Sequence, residues 1–599
     1  MSARNLQLLR RAMKDRGITA YIITTGDAHQ SEYVAEYWHT RQWLSGFLGS
    51  AGLVVVTEDN AGLWTDGRYF IQAEKELEGS GITLFKDGQP GVPNYKKWLA
   101  ENLPDGAVVG FDGRVVPVAE FESLKKELAR KNVTWHYEED VAGDVWRGRP
   151  AMPAELAFAH ELKFSGKSTA DKLAEVRAKM KEKGADIYLV AALDDIAWLT
   201  NIRGGDVKNT PVTYAYLLLD FENAYLFMDE QKIGSSFGGD GGAVFVAQHM
   251  KGITLCPYDE VFDFVEEKAA GKALLYSNTG LSVRLYGAIP DKNKAVKSPS
   301  VIAELKAVKN ETEIANAKNA FIKDGVVVTQ FLKWLSELPS SELPTETEIQ
   351  AKISKLRKAQ EYSLGNSFNT IAAYGENAAL AHYAPKEGSC ATLRQEGLFL
   401  VDTGGQYLDG TTDITRTVAM GAVTDEMKRD YTLVLKAHIA MARLKFLEGA
   451  TGTHLDAIAR QPIWEAGMNF NHGTGHGLGY CLGVHEGPHG ISPRMNKTKL
   501  APGMLVSNEP GLYKSGRHGI RTENILLVRE AEKNEFGTFL EFETVSLCPI
   551  DVKALDTALL NKDEIDWLNE YHRQVFEKLS PRLAADEVEW LKKATESVG

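Results

Sequence analysis

A segment that occurs twice, at domain-length spacing, most constrains how this chain can fold. Residues 9–23 read LRRAMKDRGITAYII and residues 176–190 read VRAKMKEKGADIYLV, with Arg, Met, Lys, Gly and Tyr at matching places. The offset is constant, as Arg10 and Arg177 illustrate (177 − 10 = 167). Each copy is typical of an amphipathic helix that stops at a glycine and leads into an apolar strand. Chance similarity between two common helix–glycine–strand units is the alternative, but the spacing favours a duplicated α/β domain.

The repeat, together with a change in the sequence pattern near Ala303, predicts three domains in the 599 residues. We expect related α/β domains at 1–155 and 156–303, because strand-like runs alternate there with charged helical stretches, as in an open mixed sheet. From 304 to 599 we expect a domain in which charged helices, over 303–333 and 346–360, precede strands and turns rich in Gly and His. Its charged end, from LNKDEIDWLNEYHRQVFEKL onward, predicts an amphipathic cover helix.

The balance of charge and the lack of long apolar runs exclude several functional classes. The chain has 81 acidic and 68 basic residues and a net charge of −13, so we do not expect nucleic acid as a partner. Its apolar runs are strand-sized, well below the ~18 residues that a membrane helix needs. The first residues are charged and lack an apolar signal segment, which predicts a cytoplasmic protein. Four widely spaced cysteines without a C-x-x-C pair predict reduced thiols.

Two motif matches fail on their local context. The segment HEGPH, which begins at His485, fits H-E-x-x-H, but a zinc peptidase needs both histidines on one face of a helix. Gly487 and Pro488 prevent that helix. Residues 234–238 (GSSFG) fit G-x-S-x-G, yet the Gly-rich stretch that follows is not the strand–turn–helix context of a nucleophilic serine. We therefore predict neither a helical zinc site nor a serine nucleophile.

Four carboxylates of the last domain lie at the ends of predicted strands, in two pairs. Asp402 ends the apolar run LFLV, and Asp413 lies in the β-branched segment TTDITRT. Glu509 follows MLVSN, and Glu523 precedes NILLV. A hairpin could bring the members of each pair together. Like charges at close range repel strongly unless a cation or a proton lies between them, so a metal site is the simplest explanation.

Two histidines, His472 and His476 in HGTGHG, add imidazoles to these carboxylates, although one could instead be a hydrogen-bonded turn residue. Four carboxylates and one His have a formal charge of −4, which two divalent cations would neutralise. Such oxygen-rich ligation favours Mn²⁺ or Mg²⁺ over a structural zinc, while Zn²⁺ or Co²⁺ could compete on affinity.

Five motifs carry a family resemblance: VDTGG, TTDITRT, HGTGHGLG, SNEPGLY and IRTEN, in this order. They resemble the signature of the metallopeptidases with the pita-bread fold, which include methionine aminopeptidase, prolidase and aminopeptidase P. The tandem N-terminal domains, the VHEGPHG loop and the WLNEYH tail are similar to the long, three-domain, cytosolic Xaa-Pro aminopeptidases. The resemblance implies an α/β and α+β multidomain fold, with two creatinase-like N-terminal domains followed by a pita-bread catalytic domain.

The resemblance also implies a dinuclear centre with Mn²⁺ as the expected metal. In it, Asp413 and Glu523 bridge the two ions, Asp402 completes one, and His476 with Glu509 completes the other. The residues implied around the substrate are His382, His472, His485, Tyr513 and Arg521. We interpret Arg521 as a brace for a ligand carboxylate, with a solvated surface arginine as the alternative.

The reaction implied is removal of the first residue from peptides with proline at position 2. A metal-bridging hydroxide is the expected nucleophile and Glu509 the general base, while His382 and His485 bind the carbonyl oxygen or carry the proton to the leaving nitrogen. A prolidase restricted to dipeptides is one alternative, which the length of the chain disfavours. A pita-bread protein that only binds partners is another, which the five retained ligands disfavour. The resemblance further implies a homodimer formed by the last domain.

Overall fold

The computed structural model of the protein describes residues 2–233 and 250–599, which form two compact units. One unit comprises Met1–Ala159, Lys167–Lys208 and Val212–Ile302, and the other comprises His160–Gly166, Asn209–Pro211 and Ala303–Gly599. The GSSFG segment at 234–238 lies outside the described residues. None of the helices in the described part of the chain has the length and hydrophobicity that a membrane span requires.

Helices occur throughout the described chain. Numbered in order, they are α1 Ser2–Asp15, α2 Thr40–Ser45, α3 Phe70–Glu76, α4 Tyr95–Asn102, α5 Val118–Glu127, α6 Val141–Val145, α7 Leu162–Ser165, α8 Thr169–Glu182, α9 Leu193–Thr200, α10 Val261–Lys268, α11 Val283–Gly287, α12 Val301–Ala307, α13 Glu311–Glu337, α14 Glu346–Lys358, α15 Asp425–Ala442, α16 Gly452–Glu465, α17 Lys562–Leu579 and α18 Ala585–Ala594.

The first unit contains two six-stranded sheets with the same topology. The first, in the order β4-β3-β2-β1-β5-β6, is formed by β1 Ala20–Ile23, β2 Leu53–Thr57, β3 Ala61–Thr65, β4 Thr83–Lys86, β5 Val108–Phe111 and β6 Thr134–His136. The second, in the order β12-β11-β10-β8-β13-β14, is formed by β8 Ile187–Val190, β10 Tyr216–Asp220, β11 Ala224–Phe227, β12 Thr254–Cys256, β13 Leu274–Tyr276 and β14 Ala295–Lys297. In each sheet the two central antiparallel pairings are flanked by parallel ones. A short pair, β7 Phe158–Ala159 and β9 Ile202–Arg203, lies outside these sheets.

The duplication predicted from the repeat is confirmed by this shared topology and by side-chain contacts. Arg10 of α1 donates to the carbonyl oxygen of Thr57 at 2.9 Å, and Arg177 of α8 donates to that of Asp220 at 2.8 Å. Thr57 and Asp220 each end the strand that pairs with the repeated strand, so the two contacts are equivalent. The precise boundaries at 155/156 and 303/304 stay a prediction.

The second unit contains the strands that carry the predicted site. A three-stranded sheet, in the order β16-β17-β20, is formed by β16 Ile371–Tyr374, β17 Leu398–Thr403 and β20 Ile414–Ala419. A six-stranded sheet, in the order β21-β28-β27-β24-β22-β23, is formed by β21 Lys445–Leu447, β22 Gly475–Gly477, β23 Glu486–Ile491, β24 Leu505–Asn508, β27 Asn524–Asn534 and β28 Gly537–Thr544. Smaller sheets are formed by β15 Ser363–Asn366, β18 Gly405–Tyr407 and β19 Gly410–Thr411, and by β25 Gly511–Lys514 and β26 His518–Arg521.

The helices of this unit differ from the sequence prediction in two places. The continuous helix expected over 303–333 is broken, because Asn310 caps a new helix, α13: its side chain accepts from the N–H of Glu313, and Glu313 accepts from that of Asn310. The single C-terminal helix is two, α17 and α18, with Pro581 in the turn between them. The C-terminal part still covers the core, with Leu568, Val575 and Leu579 buried.

The rejected H-E-x-x-H match is not helical, as predicted, because its residues from Glu486 onward lie on a strand, β23. Its Glu486 is buried between Lys306, at 3.3 Å, and Lys309, so it already has two cationic partners. His489 is buried with Nε2 against the carbonyl oxygen of Leu505 at 2.8 Å. These two residues therefore have structural partners. The four cysteines are free thiols, as predicted.

Candidate metal centre

The Asp402–Asp413 pair lies at one end of the three-stranded sheet. Asp402 is the penultimate residue of β17 and pairs with Thr415 of β20, while Asp413 directly precedes β20. Their side chains are 12% and 5% exposed, respectively. Apolar neighbours along β17 and the β-branched residues of β20 form the strands, and the hairpin carries both carboxylates to the same end.

The Glu509–Glu523 pair repeats this arrangement on the six-stranded sheet. Glu509 directly follows β24 and Glu523 directly precedes β27, and the adjoining residues Asn508 and Asn524 are paired across these strands. His476 lies in β22, whose Gly477 pairs with β24. Each hairpin therefore delivers two acids from opposite strands, as the sequence pattern predicts, and a neighbouring strand supplies the imidazole.

The two hairpin ends meet. Single ligand atoms of Asp413, His476 and Glu523 all lie within 4.8 Å of one another. Nε2 of His476 is 3.4 Å from Oδ2 of Asp413 and 3.6 Å from Oε1 of Glu509. Asp402 belongs to the same electrostatic cluster, because the charges of Asp413 and Glu509 act on it. The structure thus brings together all five residues that the sequence analysis expects as ligands.

Burial and mutual repulsion shift the pKa values of these acids. Burial, with a contribution from Asp413, raises the pKa of Asp402 to about 6 despite the nearby Arg521. Burial and the other carboxylates raise the pKa of Glu523 well above its usual value. Burial also opposes ionisation of Glu509, but the positive neighbours, His476 first and then Arg521, outweigh it and lower the pKa. For His476, burial is outweighed by the hydrogen bond to Asp413 and the charge of Glu509, and the pKa rises to about 9.

The donor set fits hard divalent cations. Within the described residues, Oδ1 of Asp402 and Oδ1 of Asp413 are both buried without a hydrogen-bond partner. Buried carboxylate oxygens are rarely left without one, since desolvating them is costly. Four carboxylates that act electrostatically on one another, two of them with an unpartnered oxygen, are the arrangement that oxygen-preferring divalent ions stabilise.

Arg521 connects this cluster to two of the predicted substrate residues. Its Nη2 donates to Oδ2 of Asp402 at 2.5 Å, and its Nη1 donates to the hydroxyl of Tyr513 at 2.6 Å. That hydroxyl is 2.9 Å from Nε2 of His472, whose Nδ1 is 2.8 Å from the carbonyl oxygen of Gly473. The carbonyl must accept from Nδ1–H, so in the neutral imidazole the remaining nitrogen, Nε2, accepts from the Tyr513 hydroxyl. Burial lowers the pKa of His472, in agreement with this.

The other two predicted histidines are exposed. His485 directly precedes β23, and its ring lies perpendicular to that of His476 with centroids 4.3 Å apart. His382 lies in the segment that follows β16. Both histidines are therefore accessible to solvent and lie in the second unit, which also contains the acids.

The sequence analysis missed the hydroxyl groups that hold the carboxylates. Thr415 donates to Oε2 of Glu523 at 2.7 Å, and Ser507 donates to Oε1 of Glu509 at 3.2 Å. Each lies two residues from a predicted ligand, Thr415 after Asp413 and Ser507 before Glu509. Side chains two apart on a strand share a face, so strand periodicity could have identified both.

A buried cluster of carboxylates and an imidazole with unpartnered oxygens defines a metalloenzyme centre, and comparison with known proteins names the class. Residues 315–530 match Metallopeptidase family M24 and residues 538–598 match the C-terminal region of peptidase_M24. Residues 5–138 and 148–313 each match a Creatinase/Prolidase N-terminal domain. The chain is a metallopeptidase, and its predicted fold class, two creatinase-like domains and a pita-bread domain, is confirmed.

Individual relatives identify the branch. Aminopeptidase P2 of Arabidopsis thaliana is 40% identical over 615 aligned positions, which cover 96% of this chain and 85% of the relative. The solved structure of X-prolyl aminopeptidase from Caenorhabditis elegans, described as a cytosolic enzyme with a di-nuclear active site, is 33% identical, has a TM-score of 0.93 and matches 100% of both chains. The Xaa-Pro dipeptidase from Bacillus anthracis covers 64% of this chain at 24% identity with a TM-score of 0.51, which shows the fold alone. The chain belongs to the long Xaa-Pro aminopeptidases of family M24.

Proposed function

We propose that the protein is a dinuclear metallo-aminopeptidase that hydrolyses the bond between the first residue and a proline at position 2. The buried cluster of Asp402, Asp413, His476, Glu509 and Glu523, with its unpartnered carboxylate oxygens, carries this proposal. The named activity of the full-length relatives supports the substrate class. The bond to proline is a tertiary amide without an N–H, so a peptidase needs a dedicated site to bind it.

The five residues of this cluster would hold two divalent cations, with Mn²⁺ expected from the oxygen-rich donor set. The chemistry that such ions supply when bound is Lewis-acid polarisation of the scissile carbonyl and acidification of a water molecule. The family resemblance makes Asp413 and Glu523 the candidates to bridge both ions. Asp402, on one side, and His476 with Glu509, on the other, would complete the two sites.

Glu509 is the proposed general base. The positive groups around it outweigh the effect of burial and lower its pKa, so the carboxylate is ionised near neutral pH and able to accept a proton. Its side chain is 20% exposed, which leaves it open to the attacking water. Ser507 donates to Oε1 at 3.2 Å, so Oε2 is the oxygen that we propose takes the proton.

His485 and His382 are the proposed contacts of the scissile carbonyl and the leaving nitrogen. Both are exposed, and the His485 ring lies against the His476 ring, at the edge of the cluster. An imidazole there can donate to the oxyanion as it forms or carry a proton to the proline nitrogen. His472 has both ring nitrogens engaged with Gly473 and Tyr513, so we assign it to holding Tyr513, and we assign Arg521 to bracing Asp402.

A cytoplasmic homodimer is the expected form of the enzyme. The description of the C. elegans relative as cytosolic supports the location. Dimerisation through the last domain stays a prediction from the family resemblance.

The test is a substrate panel on metal-analysed protein: an Xaa-Pro dipeptide, an Xaa-Pro-Xaa tripeptide and a Met-Ala peptide. We expect Mn²⁺-loaded protein to cleave the tripeptide best, and Asp413→Ala to lose both metal and activity. Asp425→Ala, at an exposed aspartate of α15, is the matched control and should keep both. Preference for the dipeptide would indicate a prolidase, preference for Met-Ala another branch, and an active, fully loaded Asp413→Ala would refute the site.

A further inference from the structure

A buried carboxylate outside the metal centre, Glu346, gathers four hydrogen-bond donors. Glu346 is the first residue of α14 and is 0% exposed. Its Oε1 accepts from the backbone N–H of Tyr374 at 2.7 Å and from Nδ2 of Asn377 at 3.0 Å. Its Oε2 accepts from the hydroxyl of Tyr383 at 2.7 Å and from the backbone N–H of Ala391 at 2.8 Å.

All four donors belong to one stretch of chain, residues 374–391, here called the His382 segment. The contacts fall at its start, near residue 377, at residue 383 and at its end, and His382 directly precedes Tyr383. The backbone adds one more tie, since the N–H of Glu346 donates to the carbonyl oxygen of Ala391 at 3.0 Å. Apart from a short 3₁₀ turn, the segment has no helix or strand of its own beyond residue 374. Its hydrogen bonds to Glu346 therefore hold it in place where the backbone pairing of a helix or strand does not.

The same segment lies against two elements of the metal centre. Tyr383 packs with Ala373, Ala378 and Leu400, and Leu400 is two residues before Asp402 on β17. On its other side, a Cβ atom at Gly519 of β26 would overlap the carbonyl oxygen of Ala378, so the backbones are in close contact there. β26 ends at Arg521, the residue that binds Asp402. These contacts and Glu346 therefore tie the segment that carries His382 to β17 and β26, the strands that hold Asp402 and Arg521.

We propose that Glu346 is a positioning residue for the peptidase reaction, which acts by holding His382 beside the metal centre. This inference rests on the proposed function, in which His382 contacts the substrate. Glu346 must offer an acceptor at both oxygens, because each oxygen faces a backbone N–H that can only donate, that of Tyr374 at Oε1 and that of Ala391 at Oε2. In Glu346→Gln the amide NH₂ must face at least one of these N–H donors, so a hydrogen bond is lost and a repulsive contact replaces it, although the volume is unchanged.

The experiment compares Glu346→Gln with Glu348→Gln, each alone and combined with His382→Ala. Glu348 is the matched control: it lies on the same helix, loses the same charge, is exposed and accepts hydrogen bonds from Thr345. We expect Glu346→Gln to lower kcat/KM for an Xaa-Pro-Xaa tripeptide by about tenfold to a hundredfold, with metal content unchanged, and Glu348→Gln to leave it within about twofold. In the His382→Ala background, Glu346→Gln should add almost nothing. An equal loss in both backgrounds, or no loss in either, would overturn the inference.

Hydrogen exchange provides a readout that needs no activity. Amides of residues 374–391 should exchange faster in Glu346→Gln than in wild type or Glu348→Gln, while those of β17 and β24 should not. If Glu346→Gln does not fold, Tyr383→Phe, which removes a single donor, should show a smaller loss in the same direction, and an unchanged Tyr383→Phe would overturn the inference. If the wild-type protein cleaves no Xaa-Pro peptide, the proposed function is refuted, but the hydrogen-exchange result still tests whether Glu346 holds the segment. Faster exchange, combined with an equal loss of kcat/KM in the wild-type and His382→Ala backgrounds, would refute the inference but not the proposed function.

Discussion

Removal of divalent cations should destabilise the protein by an amount that grows with pH. The perturbation is chelation of metal from the loaded protein, followed by thermal unfolding of both forms between pH 5 and pH 8. The reason lies in the acids of the centre. Burial first, and like charges second, raise the pKa of Asp402 to about 6 and that of Glu523 well above its usual value.

The magnitude follows from Asp402. Its pKa rises from 3.8 to about 6 on folding, and at about 1.4 kcal/mol per tenfold change in proton affinity this corresponds to about 3 kcal/mol. The folded metal-free state holds the proton more tightly than the unfolded state, so stability falls as pH rises from about 4 through 6. Glu523 acts in the same direction. Bound cations take the place of these protons, so the loaded form does not lose this stability.

The assay is the difference in unfolding temperature between loaded and chelated protein at fixed free metal, because binding to the folded state stabilises it by mass action. Other groups titrate in this range. Burial lowers the pKa of His438 to about 3 and those of His489 and His572 to about 4, so these residues add stability as pH rises through the unfolded-state value near 6.5. They do so in both forms, and their effect cancels in the difference.

We expect the loaded-minus-chelated difference to increase from pH 5 to about pH 7. Monovalent salt at equal ionic strength is the control and should not reproduce it. A difference that is the same at pH 5 and pH 8 would refute the reasoning, because it would mean that the metal does not replace protons on the acids of the centre.

Two further outcomes are expected from single substitutions. Arg521→Met removes the donors to Asp402 and Tyr513 and should lower metal affinity by about tenfold to a hundredfold in a titration of metal-free protein; an unchanged affinity would contradict the bracing role. Tyr571→Phe removes a hydroxyl that accepts from Arg416 at 2.8 Å and should destabilise the catalytic unit by about 1–3 kcal/mol in denaturant unfolding; an unmoved midpoint would show that this contact contributes nothing.

The parts of the fold that local pattern encodes could be predicted from the sequence. The matched Arg10 and Arg177 occupy equivalent places because the repeat preserves both the helix face and the strand end that it contacts. Helix boundaries were less predictable. The break before α13 depends on the capping box of Asn310 and Glu313, a motif of a few residues inside a stretch whose charge pattern is helical throughout.

The candidate site, like the fold, could be predicted only in part from the sequence. Acids at strand ends are visible in the sequence, because an apolar run that ends in a carboxylate is unusual and implies a partner. Strand periodicity places Thr415 on the same face as Asp413, but its partner Glu523 comes from a distant part of the chain, so the contact between them is not visible in the sequence. Glu346 is the clearest omission: in sequence it is an ordinary acidic residue in the first turn of a helix, and only the folded chain brings Tyr374 and Ala391 to it.

The C-terminal helix α17 covers the core and also contributes a contact next to the metal centre, through Tyr571. Arg416 is buried and donates to the carbonyl oxygens of Thr415, Glu523, Cys548 and Pro549, to Oδ1 of Asn524 and to the hydroxyl of Tyr571. All these acceptors are neutral, so dipoles of the backbone and of side chains solvate the guanidinium. Tyr571 lies on α17, and Glu523 is a proposed bridging ligand. Arg416 therefore links α17 to Thr415 of β20 and to Glu523, which precedes β27. Substitutions that weaken the packing of α17 should change the geometry of the metal centre although they alter none of its ligands.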